Sequence, residues 1–225
     1  MITAEQRIWL DPTTGVSSVW RFPEDAPAGG DCLILAHGAG NDMHSPFISH
    51  LQRAIASRGV ITVKFNFPYK EQGRVAPDRA PRLEQTFRAV IEAVQADPGR
   101  RPQQLFIGGK SMGGRIASQL AAQDLPVAGL VLLGYPLHPA GRPEQLRAAH
   151  LGRITCPMLF IQGSRDRLCD LDLLRQTLGT VRAPVTLHVI TDGDHSFKVP
   201  KRAGRTETAI WDEIAEVLLD WMARI

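Results

Sequence analysis

QLFIGGKSMGGR, residues 104–115, is the stretch that decides the fold. A short apolar run, Gln104–Ile107, leads into glycines around Ser111, and the helical pattern Met112–Gln123 follows at once. Residues 109–113 fit G-x-S-x-G, in which larger side chains two positions before or after the serine would collide. Such a turn strains the backbone of the serine and lifts its hydroxyl above the sheet, next to the free N–H groups of the helix N-terminus. The stretch therefore predicts a strand, a tight turn and a helix, with an exposed serine between them.

Two other interpretations of this turn stay open at the level of sequence. Gly109-Lys110-Ser111 also resembles the end of a phosphate-binding loop, although that motif requires glycine where Gln104 stands. Alternatively, the turn is a glycine-rich connection without chemistry.

The alternation of apolar runs and helical patterns extends along the chain. Continuous apolar runs are typical of strands buried on both faces, and the periodic segments between them indicate helices. The predicted strands are Cys32–Ala36, Val60–Phe65, Gln104–Ile107, Ala128–Leu133, Met158–Gln162 and Val185–Ile190, after an antiparallel edge of Arg7–Leu10 and Ser17–Phe22. The predicted helices are Pro46–Ser57, Arg82–Ala96, Met112–Gln123, Leu171–Leu178 and Thr206–Met222. We therefore expect an α/β fold with a mostly parallel twisted sheet and helices on both faces.

Composition sets the protein class. The chain has 225 residues, of which 44% are hydrophobic and 22% charged, and these values exclude a disordered chain. The Pro- and Gly-rich stretch Phe22–Asp31 is too short to separate two domains, so residues 1–225 are interpreted as one domain. No apolar run approaches the roughly 20 residues of a membrane span, and Met1–Leu10 lacks a signal-peptide pattern. We expect a cytoplasmic protein with no membrane partner.

Cysteine count and charge argue against several further classes. The three cysteines form no C-x-x-C pair, which disfavours a disulfide framework and a structural zinc site, and no metal or cofactor is predicted. The chain has 26 basic and 23 acidic residues, a net charge of +3, with no arginine-rich arm. We therefore expect no nucleic-acid partner. The sequence leaves a monomer and a homodimer equally open.

A serine nucleophile needs a base, and the base needs a group to orient it. His195 follows the last predicted strand, at the edge of the sheet where sites form in parallel α/β proteins. Asp166 is the first acid after the preceding strand. Ser111, Asp166 and His195 are therefore the candidate catalytic residues, although a solvated loop histidine and a turn aspartate are the ordinary alternatives.

These residues, together with His37-Gly38-Ala39-Gly40 after the third strand, resemble the α/β-hydrolase family from Ser17 to Ile225. Residues 35–42, 65–69 and 108–114 are similar to its dienelactone-hydrolase-like branch. The resemblance implies an α/β-hydrolase fold and an oxyanion hole formed by the backbone N–H groups of Met112 and Ala39. It also implies a minimal lid, because Gly134–Pro157 is short, and substrate contacts at Gly38 and Gly40. His37 is expected to brace this loop.

The function implied is a serine hydrolase that cleaves small carboxylic esters or related acyl compounds through an acyl-enzyme. Dienelactone hydrolases use cysteine where this chain has Ser111, so lactone specificity is not carried over. Two alternatives remain open. One is a short-peptide peptidase. The other is a hydrolase-fold binding module with an idle triad, because the same segments are similar to bacterial proteins related to a subunit of a eukaryotic histone-acetyltransferase complex.

The placement of basic residues suggests a preference for anionic esters. The five lysines all fall at carboxyl strand ends, in the elbow or in the loop after His195, and Lys198 is a candidate substrate-binding residue. Arg74, Arg79, Arg202 and Arg205 lie in the same two loops. Asn66–Arg82 is also long for a structureless connection, which often marks a functional rim. Such a rim would attract small anionic substrates. Solvated loop charge is the alternative interpretation.

Overall fold

Eight strands form one sheet in the computed structural model, which describes residues 1–23, 29–97 and 101–225. The strands of this described part are β1 (Ile2–Trp9), β2 (Gly15–Phe22), β3 (Cys32–Ala36), β4 (Ile61–Phe65), β5 (Leu105–Lys110), β6 (Gly129–Leu133), β7 (Met158–Gly163) and β8 (Val185–Ile190). They lie in the order β1-β2-β4-β3-β5-β6-β7-β8. The β1/β2 and β2/β4 pairs are antiparallel and the other pairs parallel, which confirms the mostly parallel sheet with an antiparallel edge.

Helices cover both faces of this sheet, as the sequence predicts. The α-helices of the described residues are α1 (Pro46–Ala56), α2 (Pro68–Glu71), α3 (Ala80–Ala96), α4 (Met112–Ala121), α5 (Leu171–Leu178) and α6 (Glu207–Met222). Alternate residues of each strand point to opposite faces, so Ile34 packs in one core and Leu33 in the other. The core around Ile34 is covered by α3, α4 and α5, and the core around Leu33 by α1 and α6.

The structure corrects three local expectations. The Asn66–Arg82 connection is not structureless, because α2 occupies its start and α3 already begins at Ala80. Proline stands in the first turn of each of these helices, where its fixed φ favours helical geometry. β8 is only partly buried, since it lies at the end of the sheet and has a neighbouring strand on one side alone. Finally, β1 is longer than predicted, starting at Ile2. Within Phe22–Asp31, residues 24–28 lie outside the described part.

The connection between β6 and β7, at the carboxyl end of the sheet, contains no large insertion. The β6–β7 connection, described throughout, carries one three-residue 3-10 helix, Leu151–Arg153, and no inserted cap. The expected minimal lid therefore agrees with the structure. None of the helices in the described ranges combines the length and apolarity that a membrane span requires.

Candidate active site

Ser111 lies at the turn between β5 and α4, in a backbone conformation that side-chain-bearing residues rarely adopt. Its φ is 52° and its ψ is −113°. Although Ser111 is the N-cap residue of α4, its side chain makes no capping hydrogen bond, so the hydroxyl is available to other partners. The strained conformation that the sequence pattern predicts is therefore present.

Close backbone contacts explain the glycines around Ser111. A Cβ on Gly109 would lie 2.2 Å from the carbonyl oxygen of Ala36, and a Cβ on Gly113 would lie 2.6 Å from the same oxygen. A Cβ on Gly108 would lie 2.1 Å from the carbonyl oxygen of Val131. Because backbone oxygens in neighbouring strands cannot move aside cheaply, these positions require glycine.

A continuous hydrogen-bonded chain joins Ser111, His195 and Asp166. The Nε2 atom of His195 lies 2.9 Å from the Ser111 Oγ, and its Nδ1 atom lies 2.7 Å from an Asp166 carboxylate oxygen. A carboxylate only accepts, so Nδ1 carries the ring proton of a neutral imidazole and Nε2 accepts from the serine hydroxyl. The structure thus brings together three side chains that stand 84 and 29 residues apart in the chain.

The Asp166 carboxylate is fully buried and accepts three hydrogen bonds. Besides His195, the Leu168 amide donates to it at 2.8 Å and the Gln162 Nε2 at 2.5 Å. The orientation of the Gln162 amide is itself fixed, because its oxygen accepts from the Tyr135 N–H at 2.8 Å. Buried polar groups are costly unless paired, so these donors hold the carboxylate in one position beneath the imidazole.

Gln162 is a site residue that sequence reasoning missed. The sequence pattern indicates only that it ends a strand, and in β7 it is completely buried. The available signal is a polar side chain at the end of an otherwise apolar run, four residues before Asp166. A buried amide at such a position needs polar partners, and a neighbouring carboxylate is one of the few groups that could supply them.

The loops that carry Asp166 and His195 are bound to each other. The Arg165 N–H donates to the Gly193 carbonyl oxygen at 2.8 Å. A Cβ on Gly163 would lie 2.4 Å from that same oxygen and 2.5 Å from the Asp194 carbonyl oxygen. The approach of the two loops therefore depends on the absence of a side chain at residue 163.

The loop after β3 is braced by His37, as expected. The ring is completely buried, with Nδ1 2.9 Å from the Gly38 oxygen and Nε2 accepting from the Phe67 amide at 3.2 Å. Burial lowers the pKa of this imidazole to about 4, so the ring is neutral near pH 7. The Tyr69 hydroxyl also donates to the Ala39 oxygen at 2.9 Å, which fixes the following peptide.

The amides of Ala39 and Met112 are free to meet a ligand. Neither N–H donates to another group in the part of the chain that the structure describes. Both residues line a cavity of about 390 Å³ together with Ser111. Unpaired N–H groups at such a site are available to a developing negative charge.

A second cavity, of about 290 Å³, involves the other candidate binding residues. Gly38 and Lys198 line it, whereas Gly40 lines neither this cavity nor the one beside Ser111. The Lys198 ammonium lies 3.3 Å from the Glu207 carboxylate. Its charge is therefore partly compensated within the protein.

Lys110 also lines the second cavity, directly before Ser111 in the chain. Its Nζ is buried without a hydrogen-bond partner among the described residues and lies 5.2 Å from the centre of the Phe197 ring. Burial lowers the pKa of this amine to about 8, against the opposing influence of the Asp166 and Asp194 carboxylates. Lys110 does not line the 390 Å³ cavity beside Ser111.

A second serine–imidazole pair, Ser118 and His150, lacks two features of the Ser111 site among the described residues: an orienting carboxylate and a position in either cavity wall. Ser118 Oγ lies 2.7 Å from His150 Nε2, but Ser118 is completely buried in α4 and also bonds the Arg115 carbonyl oxygen. No carboxylate orients His150 within the described ranges, and Ser118 lines neither of the two cavities described above. Across those ranges, no cluster of three or more potential metal ligands occurs either.

Comparison with known proteins identifies the family and the fold of this chain. A family model described as an alpha/beta hydrolase domain matches residues 29–223. The fold is similar to that of a dienelactone hydrolase from Anabaena variabilis, with 18% identity, a TM-score of 0.75 and coverage of 99% of this chain and 97% of that one. It is also similar to an α/β serine hydrolase without a lid from Xanthomonas campestris, with 23% identity, a TM-score of 0.72 and coverage of 99% and 94%.

A third similar structure is the esterase domain of a Rhodothermus marinus protein, with 15% identity, a TM-score of 0.75 and coverage of 100% of this chain and 99% of that one. At these identities the similarity concerns the fold, while the family model spans most of the chain. The family that the sequence resembles is thereby confirmed: the chain belongs to the alpha/beta hydrolases.

Proposed function

We propose that this chain is a serine hydrolase that cleaves small carboxylic esters, or related acyl compounds such as thioesters, through an acyl-enzyme. One observation carries the proposal. The Ser111 hydroxyl donates to an imidazole whose other nitrogen donates to a fully buried carboxylate, and the serine opens onto a cavity of about 390 Å³.

The residues take the following roles in this mechanism. His195 accepts the Ser111 proton as the oxygen attacks the acyl carbonyl, and Asp166 stabilises the imidazolium that forms. His195 then donates this proton to the leaving oxygen, which gives an ester of Ser111. In the second half of the cycle, His195 takes a proton from water as the water oxygen attacks the acyl carbonyl. The acyl–serine bond then breaks, His195 returns the proton to the Ser111 oxygen, and the carboxylic acid leaves.

The amides of Met112 and Ala39 are proposed to bind the oxyanion. Their N–H groups have no competing acceptor among the described residues, and the Ala39 carbonyl oxygen accepts a hydrogen bond from the Tyr69 hydroxyl. Removing one such donor in other hydrolases costs about 10²- to 10³-fold in rate. The pre-set position of these donors is what would make them effective, since no reorganisation is needed as charge develops.

Cavity size and the absence of an inserted cap favour small substrates. About 390 Å³ lies at the lower end of the range for small-molecule sites, roughly 300–1,000 Å³. The β6–β7 connection carries no inserted cap and contributes Pro136 and Arg147 to the cavity wall. A small ester whose acyl or alkoxy group lies along the cavity wall therefore fits better than an extended lipid.

Labelling with a neutral fluorophosphonate tests the proposal. We expect covalent modification of Ser111, none in the Ser111→Ala variant, and loss of ester hydrolysis in that variant with its folding preserved. Ser118→Ala is the matched control, because it removes a second histidine-bonded serine without touching the cavity. Hydrolysis by Ser111→Ala at the wild-type rate would overturn the assignment of the nucleophile.

The same preparation separates the alternatives. A binding module with an idle triad would leave Ser111 unlabelled and p-nitrophenyl acetate intact. A short-peptide peptidase would label at Ser111 yet hydrolyse a dipeptide anilide in preference to its matched ester. We expect labelling together with a preference for the ester.

A further inference from the structure

Two arginines line the same cavity as Ser111. Arg115 stands one helical turn after the serine in α4, and its amide donates to the Ser111 carbonyl oxygen at 3.0 Å. Side chains in a helix lean toward its N-terminus, so the Arg115 side chain leans toward the serine. Arg147 reaches the cavity from the β6–β7 connection, where its carbonyl oxygen accepts from the Tyr135 hydroxyl at 2.7 Å.

Neither guanidinium group is neutralised by the protein. Over residues 1–23, 29–97 and 101–225, Arg115 and Arg147 make no side-chain hydrogen bond or ion pair. Arg115 is half-buried, and burial lowers the pKa of its guanidinium. Tyr135 and Glu84 oppose that effect, whereas the positive charge of Arg147 adds to it. Arginine nevertheless stays charged in proteins, so two neighbouring cations, the half-buried Arg115 and the exposed Arg147, line the cavity.

The one carboxylate in the cavity wall is already occupied. Asp78 forms an ion pair with Arg74, and its other oxygen accepts from the Tyr69 amide at 2.9 Å. Glu84 is the carboxylate that raises the pKa of Arg115. It accepts a hydrogen bond from the Gln123 side chain at 3.0 Å. The cavity beside Ser111 therefore has an excess of positive charge.

Most of the remaining cavity wall is apolar. Its other members are Pro77, Ala80, Leu83, Ile116, Pro136 and Leu168. A site with a nucleophile, an apolar wall and paired cations matches a molecule with an acyl carbonyl, a short methylene chain and an anion. Arginine pairs recognise carboxylates particularly well, because the planar fork matches the two oxygens.

We propose that Arg115 and Arg147 form an anion subsite that selects esters whose acyl chain ends in a carboxylate, that is, half-esters of short dicarboxylic acids. This inference rests on the proposed hydrolase function and names its substrate class. It also assigns anion binding to Arg115 and Arg147, and not to the basic rim predicted from the sequence. Lys198 is paired with Glu207, and Arg205 forms an ion pair with Glu213.

The test compares two esters of equal length. One is the mono-p-nitrophenyl ester of glutaric acid, and the other is p-nitrophenyl pentanoate, which lacks the second carboxylate. We expect wild-type kcat/KM to favour the half-ester by about tenfold or more, the range of a charge-assisted pair. The ratio should fall at least about tenfold in the double variant Arg115→Met, Arg147→Met, and the wild-type preference should weaken at high salt.

Two controls separate the possible failures. Arg153→Met, in the same connection but outside the cavity, should keep the ratio. Lys198→Met should keep it too, and a loss there instead would place the anion in the 290 Å³ cavity and overturn the proposal. Equal kcat/KM for both esters in wild type would overturn the subsite alone. Failure to hydrolyse either ester would overturn the proposed function with it. Fluorophosphonate labelling of each variant verifies that its serine site is folded.

Discussion

Replacing Asp166 by asparagine removes one charge from the site while keeping its shape. The carboxylate accepts three hydrogen bonds: from His195 and Gln162 at one oxygen, and from the Leu168 amide at the other. If the asparagine NH₂ group faced His195 and Gln162, it would oppose two hydrogen-bond donors. If it faced the Leu168 amide, it would oppose only one. We therefore expect the amide oxygen to stay toward His195, so that the ring keeps its tautomer.

The loss in Asp166→Asn then comes chiefly from the missing charge. In the transition state the imidazolium and the carboxylate are held by a contact of 2.7 Å. Taking about 4 Å between the centres of charge and an effective dielectric constant of about 20, their attraction is about 4 kcal/mol. That figure corresponds to a fall in kcat of about 10³-fold. The Leu168 amide, left unpaired, should lower the free energy of unfolding by about 1–3 kcal/mol.

The assay is the initial rate of p-nitrophenyl acetate hydrolysis, divided by the fraction of enzyme that a fluorophosphonate labels over long exposure. Asp170→Asn is the matched control. Asp170 is four residues away and caps α5 through the amides of Asp172 and Leu173, a role that asparagine fills equally well. Its kcat should stay within about twofold of wild type, as expected for a surface change. If Asp166→Asn kept kcat within tenfold of wild type, the charge-based reasoning would be refuted.

Two further predictions concern the packing and the pH dependence of the site. Gly163→Ala should lower kcat by about 10²-fold, because a Cβ would lie 2.4 Å from the Gly193 oxygen and separate the loops of the acid and the base. Gly152→Ala, where a Cβ meets nothing within 4 Å, should change neither kcat nor stability, and equal effects of the two changes would contradict the argument. The His37 imidazole has its pKa lowered from 6.5 to about 4 by burial, so the unfolded chain binds a proton between those pH values that the folded chain does not. The free energy of unfolding should therefore fall by up to about 3 kcal/mol as the pH drops through that window. Urea denaturation of His37→Gln should show a flatter pH dependence than wild type and the exposed-site control His44→Gln; identical slopes in all three would refute it.

Local sequence patterns predict most strands and helices of the fold, and the elements that differ from the prediction do so for local reasons. Apolar runs predict the central strands because parallel strands are buried on both faces, and the structure has them within a few residues of the predicted bounds. β8 departs from that pattern since it ends the sheet. The helix α2 was missed because four residues are too few to show a helical period, although Pro68 stands at its first position.

Sequence by itself determined the Ser111 turn and the order of acid and base along the chain. The turn depends on the sizes of the residues next to Ser111. The five residues 109–113 are therefore enough to predict a strained serine flanked by glycines. The strand ends at which Asp166 and His195 stand follow from chain order, because all parallel strands present their carboxyl ends at one edge of the sheet.

Only the tertiary structure decided how charges and buried polar groups are paired. Whether Lys198 is a free cation depends on Glu207, and whether Asp166 is held in place depends on Gln162 and on a peptide N–H. Arg115 and Arg147 stand 32 residues apart in the numbering, and nothing in either neighbourhood shows that both line one cavity without a partner. Electrostatic pairing acts over a few ångströms of space, and the chain segments that meet at that distance are set by packing of the whole sheet and its helices.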